Sequence, residues 1–168
     1  APAHQIASPD TQLNQPHSGT CEPSQHLIHT ADFRGEAIRG FPAFAVEPGR
    51  EQPDGLDHPS SPIHLPATDE FAVLDTALGP PNAAHIRFFP RTATGGTAPG
   101  RRITGPNVSE AVRMAYDPAG RRISVLRRVT GQGAVVDARI EVFNESASGN
   151  AVPASTIMGP NTNGFEAP

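Results

Sequence analysis

Residues 111–129 read AVRMAYDPAGRRISVLRRV, and this stretch decides the fold class. Val112, Met114 and Tyr116 alternate with Arg113, Ala115 and Asp117. A period of two puts one set on a buried face and the other toward water, the pattern of a half-buried strand. Asp117-Pro118-Ala119-Gly120 then carries the chemistry of a tight turn. Asp accepts backbone hydrogen bonds at the first position, Pro presets φ at the second, and Gly suits the fourth. Ile123 and Val125 share one face of a return strand that ends near Val129. The expectation is an antiparallel hairpin.

Working outward, Ile86-Arg87-Phe88-Phe89 reads as a strand stopped by Pro90, and Arg102-Ile103-Thr104 resumes strand after the flexible TATGGTAPG loop of residues 92–100. The Gly95-Gly96 pair in that loop lacks the following Lys of a phosphate-binding loop, and the chain has no Lys at all. Residues 135–143 form a further strand, with Ile140 and Val142 alternating against Arg139 and Glu141. Residues 71–74 suit a strand or a short helix, ended by Gly79-Pro80-Pro81. Residues 41–46 suit a short strand, and residues 47–66, with five prolines, a long loop. Residues 24–39 read as a helix: Ser24 caps the start, Gly40 and Pro42 end it, and Leu27, Ile28, Ala31 and Ile38 share a face. No internal repeat is evident. The expected fold is α+β and mainly β, an N-terminal helix packed on an antiparallel β-sandwich or β-roll. Residues 1–23 form a flexible N-terminal segment, 24–143 a single domain, and 144–168 a loop-rich tail.

The 168 residues fit one domain. Apolar residues make up 36%, below the usual ~45–50%. Pro and Gly number 19 and 16, so a modest core with long connections is expected. Cys21 is alone, which excludes an internal disulfide. No apolar run approaches the ~20 residues of a membrane helix. Charge is uneven. Residues 1–85 hold three Arg and eleven acids, residues 86–128 nine Arg and two acids, and residues 129–168 one Arg and four acids. Such asymmetry makes either a basic face for an anionic partner or acidic and basic segments that pack together, and the second is preferred.

Several pieces stand in an order that resembles the GspH/FimT-type minor pseudopilins. Residues 31–40, ADFRGEAIRG, are similar to the end of that family's long helix, where Arg-x-Glu-Ala-Ile-x-x-Gly is typical. Ile86-Arg87-Phe88-Phe89-Pro90 with Thr94-Gly95-Gly96-Thr97 is similar to its "IRFFPDGSSTGG" stretch, and Tyr116-Asp117-Pro118-Ala119-Gly120-Arg121 to its closing hairpin. The resemblance covers residues 27–129. It implies a pilin-like domain and a structural, non-enzymatic role at the tip of a type II secretion pseudopilus or type IV pilus. Its partners would be other minor pseudopilins, with no cofactor. It also implies an extracytoplasmic (periplasmic) location, with attachment to the inner membrane only through a hydrophobic anchor that residues 1–26 do not contain.

Three sets of side chains suggest chemistry. Arg101, Arg102, Arg113, Arg121, Arg122, Arg127 and Arg128 form a candidate DNA- or anion-binding cluster, since guanidinium forks match phosphates. Some FimT-type pilins bind DNA through a Gly-Arg-x-Arg pattern, and Gly120-Arg121-Arg122-Ile123 is similar, so a DNA-uptake pilin is the second functional expectation. No aromatic platform for stacking stands beside it, and a salt-bridged or solvated sheet edge is the simpler reading and is preferred. Cys21, His26 and His29, with His17 or a carboxylate as a fourth ligand, are a weak metal candidate and suggest a periplasmic metal-binding protein. Ser60, His64 and Asp69 contain the residue types of a hydrolase triad without a nucleophile elbow, so loop residues are the simpler reading.

Overall fold

The computed structural model describes residues 14–22, 27–32, 34, 37–42, 50–51, 56–76, 84–94, 96–131 and 134–158. Among them every regular element is a strand, and the strands fall in chain order into three sheets of four. Sheet 1 holds β1 (Pro16–Glu22), β2 (Leu27–Asp32), β3 (Ala37–Pro42) and β4 (Arg50–Glu51). Sheet 2 holds β5 (Pro59–Leu65), β6 (Glu70–Thr76), β7 (Ala84–Pro90) and β8 (Arg101–Ile103). Sheet 3 holds β9 (Ala111–Asp117), β10 (Arg122–Gly131), β11 (Ala134–Asn144) and β12 (Ser155–Ile157). Each sheet is an antiparallel meander, every strand paired with the next.

The hairpin at 111–129 is present, with Arg122 opposite Asp117 and Val125 opposite Met114. Asp117 accepts bonds from the backbone N–H of Ala119 and Gly120 at 3.0 and 3.1 Å. A Cβ on Gly120 would meet Asp117 Oδ2, which is why glycine stands there. The left-handed residue of the turn is Arg121, at φ 51. Val112 departs from the expected alternation because the register shifts there, making it the extra residue of a β-bulge.

The helix expected over 24–39 is wrong. β2 and β3 occupy its described residues apart from Arg34 in the turn between them, with Ala31 opposite Ile38, and β1 pairs along the other edge of β2. Alternation explains the same side chains: His29 and Ala31 are buried while Ile28 and Thr30 on the opposite face are half-exposed. The helix-on-sheet α+β fold and the minor-pseudopilin resemblance fall with it. The IRFFP stretch is β7 of sheet 2, the Tyr116 hairpin belongs to sheet 3, and no helix packs on either among the described residues. The type II secretion and type IV pilus roles rested on that resemblance and are withdrawn. The long loop expected over 47–66 contains β5, because Pro59 opens the strand and Pro62 sits in its bulge, the two places a strand tolerates proline.

Sheet 2 lies between the other two. Leu65, Ala72, Leu74, Ile86, Phe88 and Ile103 pack with Met114, Ile123, Val125 and Phe143 of sheet 3. On its other face Val73 and Phe89 pack with Ala31 and Ile38 of sheet 1. Burial on both faces explains the continuous apolar run Phe71-Ala72-Val73-Leu74, whose lack of alternation left strand and helix undecided. The first strands stand together: β5 packs against β1, and β9 against β5. Ser61 N donates to Ser18 Oγ at 2.6 Å across the first of these junctions.

The sheets repeat in sequence as well as in shape. An offset of 43 takes Pro16, Ser18, Pro23 and Asp32 onto Pro59, Ser61, Pro66 and Asp75. Asp32 accepts bonds from the backbone N–H of Asn14 and Gln15, and Asp75 from those of Asp57 and His58. Each aspartate, buried, also holds an arginine of the third strand, Arg39 Nε at 3.3 Å and Arg87 Nη2 at 2.8 Å. A further offset of 52 takes Pro66, Asp69 and Asp75 onto Pro118, Arg121 and Arg127. Asp69 and Arg121 are both left-handed, at φ 54 and 51. Here the charges reverse: Asp69 pairs with Arg91, but Arg121 with Glu145, and Arg127 with Glu141.

Candidate functional site

The arginine cluster divides into two groups. Arg101 forks onto Glu70, with Nε–Oε1 at 3.1 Å and Nη2–Oε2 at 2.6 Å, lies 3.5 Å from the centre of the Phe88 ring and donates to the Ala147 carbonyl in the loop between β11 and β12. Arg121 donates to the buried Glu145 at 2.8 Å, where Tyr116 O–H also donates at 3.0 Å. Arg127 reaches the buried Glu141, which Thr156 also bonds. These three are structural. Burial works against ionisation of Glu145, but the bonds and charge of Arg121 and the Tyr116 bond outweigh it, and its carboxyl titrates below the usual range. Burial, then the bond to the Glu145 carboxylate, pushes the Tyr116 phenol up.

Arg102, Arg113, Arg122 and Arg128 are exposed. Arg113, Arg122 and Arg128 point from the face of sheet 3 that faces away from sheet 2, because they alternate with the core residues Met114, Ile123 and Val125. Arg102 stands apart on β8. Between the three lies an apolar row that runs straight across the sheet: Leu126 opposite Ile140, and Ile140 opposite Ile157. Val142 lies beside it, opposite Ser124.

This row has a counterpart in sheet 2. Leu74 stands opposite Ile86, and Ile86 opposite Ile103, all three at 0% exposure beneath sheet 3. The 52-residue offset takes Leu74 onto Leu126. Leu126, Ile140 and Val142 are only half-buried, Ile157 is 49% exposed, and neighbouring Met158 is 54% exposed. The outer face of sheet 3 is built as an inter-sheet face. Sequence reasoning saw only the alternating Ile140 and Val142, because Leu126 and Ile157 become their neighbours through strand pairing.

A second feature is a cleft of about 330 Å³ between the three first strands, lined by Thr20, Cys21, Ile63, His64, Pro66 and Tyr116. It marks the line on which the sheets converge. Of the metal candidate, Cys21 and His29 are not brought together. Thr20, not Cys21, is opposite His29, so Cys21 and His29 lie on opposite faces of the hairpin. His29 packs on Phe71 at 4.2 Å between centroids, while Cys21 is exposed. His26 lies outside the described residues, and no group of three or more potential ligands exists among those described. His17 is on β1, but its side chain lies outside the described residues. Ser60 donates to the Leu74 carbonyl, His64 packs near Phe71, and Asp69 binds Arg91, so these three are each engaged elsewhere. No helix among the described residues is long and apolar enough to cross a membrane.

Consecutive four-stranded meanders whose first strands converge are the blades of a propeller-like array. No family model matches this chain, and no curated protein matches it. Among solved structures it is similar to the WD40 β-propeller domain of Doa1, at 10% identity and a TM-score of 0.47, over 88% of this chain and 60% of that one. The chain thus spans about 60% of the length of that neighbour.

Proposed function

We propose that this chain is a non-catalytic protein-interaction module whose docking surface is the outer face of sheet 3, and that its partner presents an acidic protein surface. The observation that carries this is the row Leu126–Ile140–Ile157, an apolar inter-sheet seam left open and flanked by Arg113, Arg122 and Arg128. An apolar centre with an arginine rim is the composition of protein interfaces, where desolvated aliphatic contacts supply affinity and charges supply orientation. Nucleic acid suits it less well. Phosphates gain nothing from a Leu-Ile centre, and among the described residues no aromatic side chain stands there to stack on bases.

Site-specific photocrosslinking tests the proposal. A benzoylphenylalanine placed at Leu126 is expected to form an adduct with one polypeptide, identified by mass spectrometry and carrying an acidic contact segment. The adduct should vanish in the Arg113→Glu/Arg122→Glu/Arg128→Glu variant while the circular dichroism of the fold is retained. An adduct with nucleic acid, or a protein adduct indifferent to the charge reversals, overturns it.

A further inference from the structure

We propose that the partner grips this face with a loop that clasps the outer edge of β12, pairing its backbone in parallel with Thr156–Met158. This rests on the reading of the sheet 3 face as a protein docking surface and names the kind of segment that docks. The same grip already exists inside the molecule. Residues 147–151, between β11 and β12, cross onto the outer edge of β8. Gly149 stands beside Ile103 in a parallel bridge. Its N–H donates to the Arg102 carbonyl at 2.7 Å, and its carbonyl accepts from Thr104 N–H at 2.8 Å. Asn107 Nδ2 donates to the Ala151 carbonyl, and Ala147 and Ala151 pack against the core between sheets 2 and 3. The clasp combines backbone pairing at a strand edge with burial of two small apolar side chains.

Both halves of this grip recur in the sequence. From β7 onward the offset between sheets 2 and 3 is 54, taking Ala84, Ile86 and Phe89 onto Ala138, Ile140 and Phe143. It takes Ala93, Gly95 and Pro99 onto Ala147, Gly149 and Pro153, so the loop before β8 has the sequence pattern of the clasp. Ala93 N–H donates to the Pro90 carbonyl as Ala147 N–H does to that of Asn144, and Ala93 is buried with Ala31 and Ile38 of sheet 1. The same offset takes the gripped segment Ile103-Thr104-Gly105-Pro106-Asn107 onto Ile157-Met158-Gly159-Pro160-Asn161, whose last three residues lie outside those described. Gly100 N–H bonds the Phe88 carbonyl, and Ala154 N–H the Val142 carbonyl, so β8 and β12 are seated alike and turn equivalent backbone groups outward. The two edges differ in cover. Ile103 is buried, whereas Ile157 and Met158 are among the exposed large apolar side chains. Among the described residues no strand pairs with the outer edge of β12. The loop that fits it carries alanine two positions before a left-handed glycine, as Ala147 precedes Gly149 at φ 65.

Solution NMR of the isotope-labelled chain, with a synthetic peptide of residues 143–152 (FNESASGNAV) as the probe, tests this. In the free chain the Met158 amide is expected to exchange rapidly with solvent. Peptide at millimolar concentration should shift and protect it, together with shifts along β12. Met158→Pro removes the donor at a position not paired with β11, and should abolish these shifts. Valine in place of Gly149 in the peptide should do the same, because a β-branched residue resists positive φ. A Met158 amide already protected in the free chain, which assigns the edge to one of the chain's own segments, overturns the proposal. So does the absence of shifts, or shifts that survive Met158→Pro. The photocrosslink keeps the two readings apart. A charge-sensitive adduct at 126 with an acidic protein that persists in Met158→Pro sinks the clasp and leaves the interaction module standing, whereas an adduct lost in Met158→Pro supports both.

Discussion

Replacing Asp75 by alanine tests whether the buried aspartates organise the sheets. Asp75 is 2% exposed and accepts the N–H of Asp57 at 2.8 Å and of His58 at 3.0 Å, which fixes where β5 begins. Its other oxygen holds Arg87 Nη2 at 2.8 Å. Truncation leaves two backbone donors without this acceptor and a guanidinium without this counter-charge. Hydrogen bonds to charged groups contribute about 1.5–3 kcal/mol each, and removing one member of a buried pair costs about 3–5 kcal/mol. These overlap, so the expected loss is about 4 kcal/mol, a large share of a typical domain stability of ~5–15 kcal/mol. With a urea slope of about 2 kcal/mol/M, the unfolding midpoint should fall by about 2 M. Asp75→Asn keeps an acceptor and loses only the charge, so its shift should be roughly half as large. Asp117→Ala is the control. Asp117 also accepts two backbone N–H groups, but at an exposed turn where water replaces it, so about 1 kcal/mol or less is expected. Asp32→Ala should behave like Asp75→Ala, because the same bonds recur there. Equal midpoints for Asp75→Ala and Asp117→Ala would refute the reasoning.

Glu145 titrates below its ordinary value near 4.5, so its carboxylate favours the folded state. That contribution is complete above the unfolded value and fades as pH falls through the folded one. The stability deficit of Glu145→Gln should therefore be present at neutral pH and shrink in acid, as urea midpoints measured at several pH values will show; a constant deficit contradicts it. Gly105 sits at φ 94, and a Cβ there would meet Asn150 Oδ1, so Gly105→Ala should lower the thermal midpoint by the equivalent of about 1–3 kcal/mol. Gly100→Ala, with open space around the new Cβ, should leave that midpoint unchanged. Arg101→Lys keeps the charge but loses the fork onto Glu70 and the flat contact with Phe88, so chemical denaturation should show a loss of about 1–2 kcal/mol. No loss would mean that charge alone matters there.

The part of the fold legible in the sequence was the part held by neighbours in the chain. The 111–129 hairpin combines period-two alternation with a turn whose side chains bond their own backbone, and both signals are local. β7 and β11 were legible for the same reason. Residues 24–39 were misread because Leu27, Ile28, Ala31 and Ile38 satisfy a helical face, and the alternative needs β1, a partner several residues upstream. The repeat escaped notice because its identities are few. Pro16, Ser18, Pro23 and Asp32 match Pro59, Ser61, Pro66 and Asp75 at an offset of 43, but the third unit needs 52 and reverses the charges. A self-comparison admitting gaps and charge reversal could have found it. Of the candidate arginines, sequence named all seven but not their division. That division depends on where Glu70, Glu141 and Glu145 stand, which only the pairing of distant strands decides.

The uneven charge of the chain has a physical account in these pairings. Acids of the first half meet arginines of the second: Asp69 with Arg91, Glu70 with Arg101, and Asp75 with Arg87. Sheet 3 answers its own arginines, Arg121 with Glu145 and Arg127 with Glu141. The preference for segments that pack together is met for Arg87, Arg91, Arg101, Arg121 and Arg127. It fails for Arg102 on β8 and for Arg113, Arg122 and Arg128, the last three of which share a single face with the uncovered Leu126–Ile140–Ile157 row. The placement of Arg113, Arg122 and Arg128 beside an apolar row whose counterpart in sheet 2 is fully covered is what a second surface, apolar at its centre and acidic at its edge, would explain.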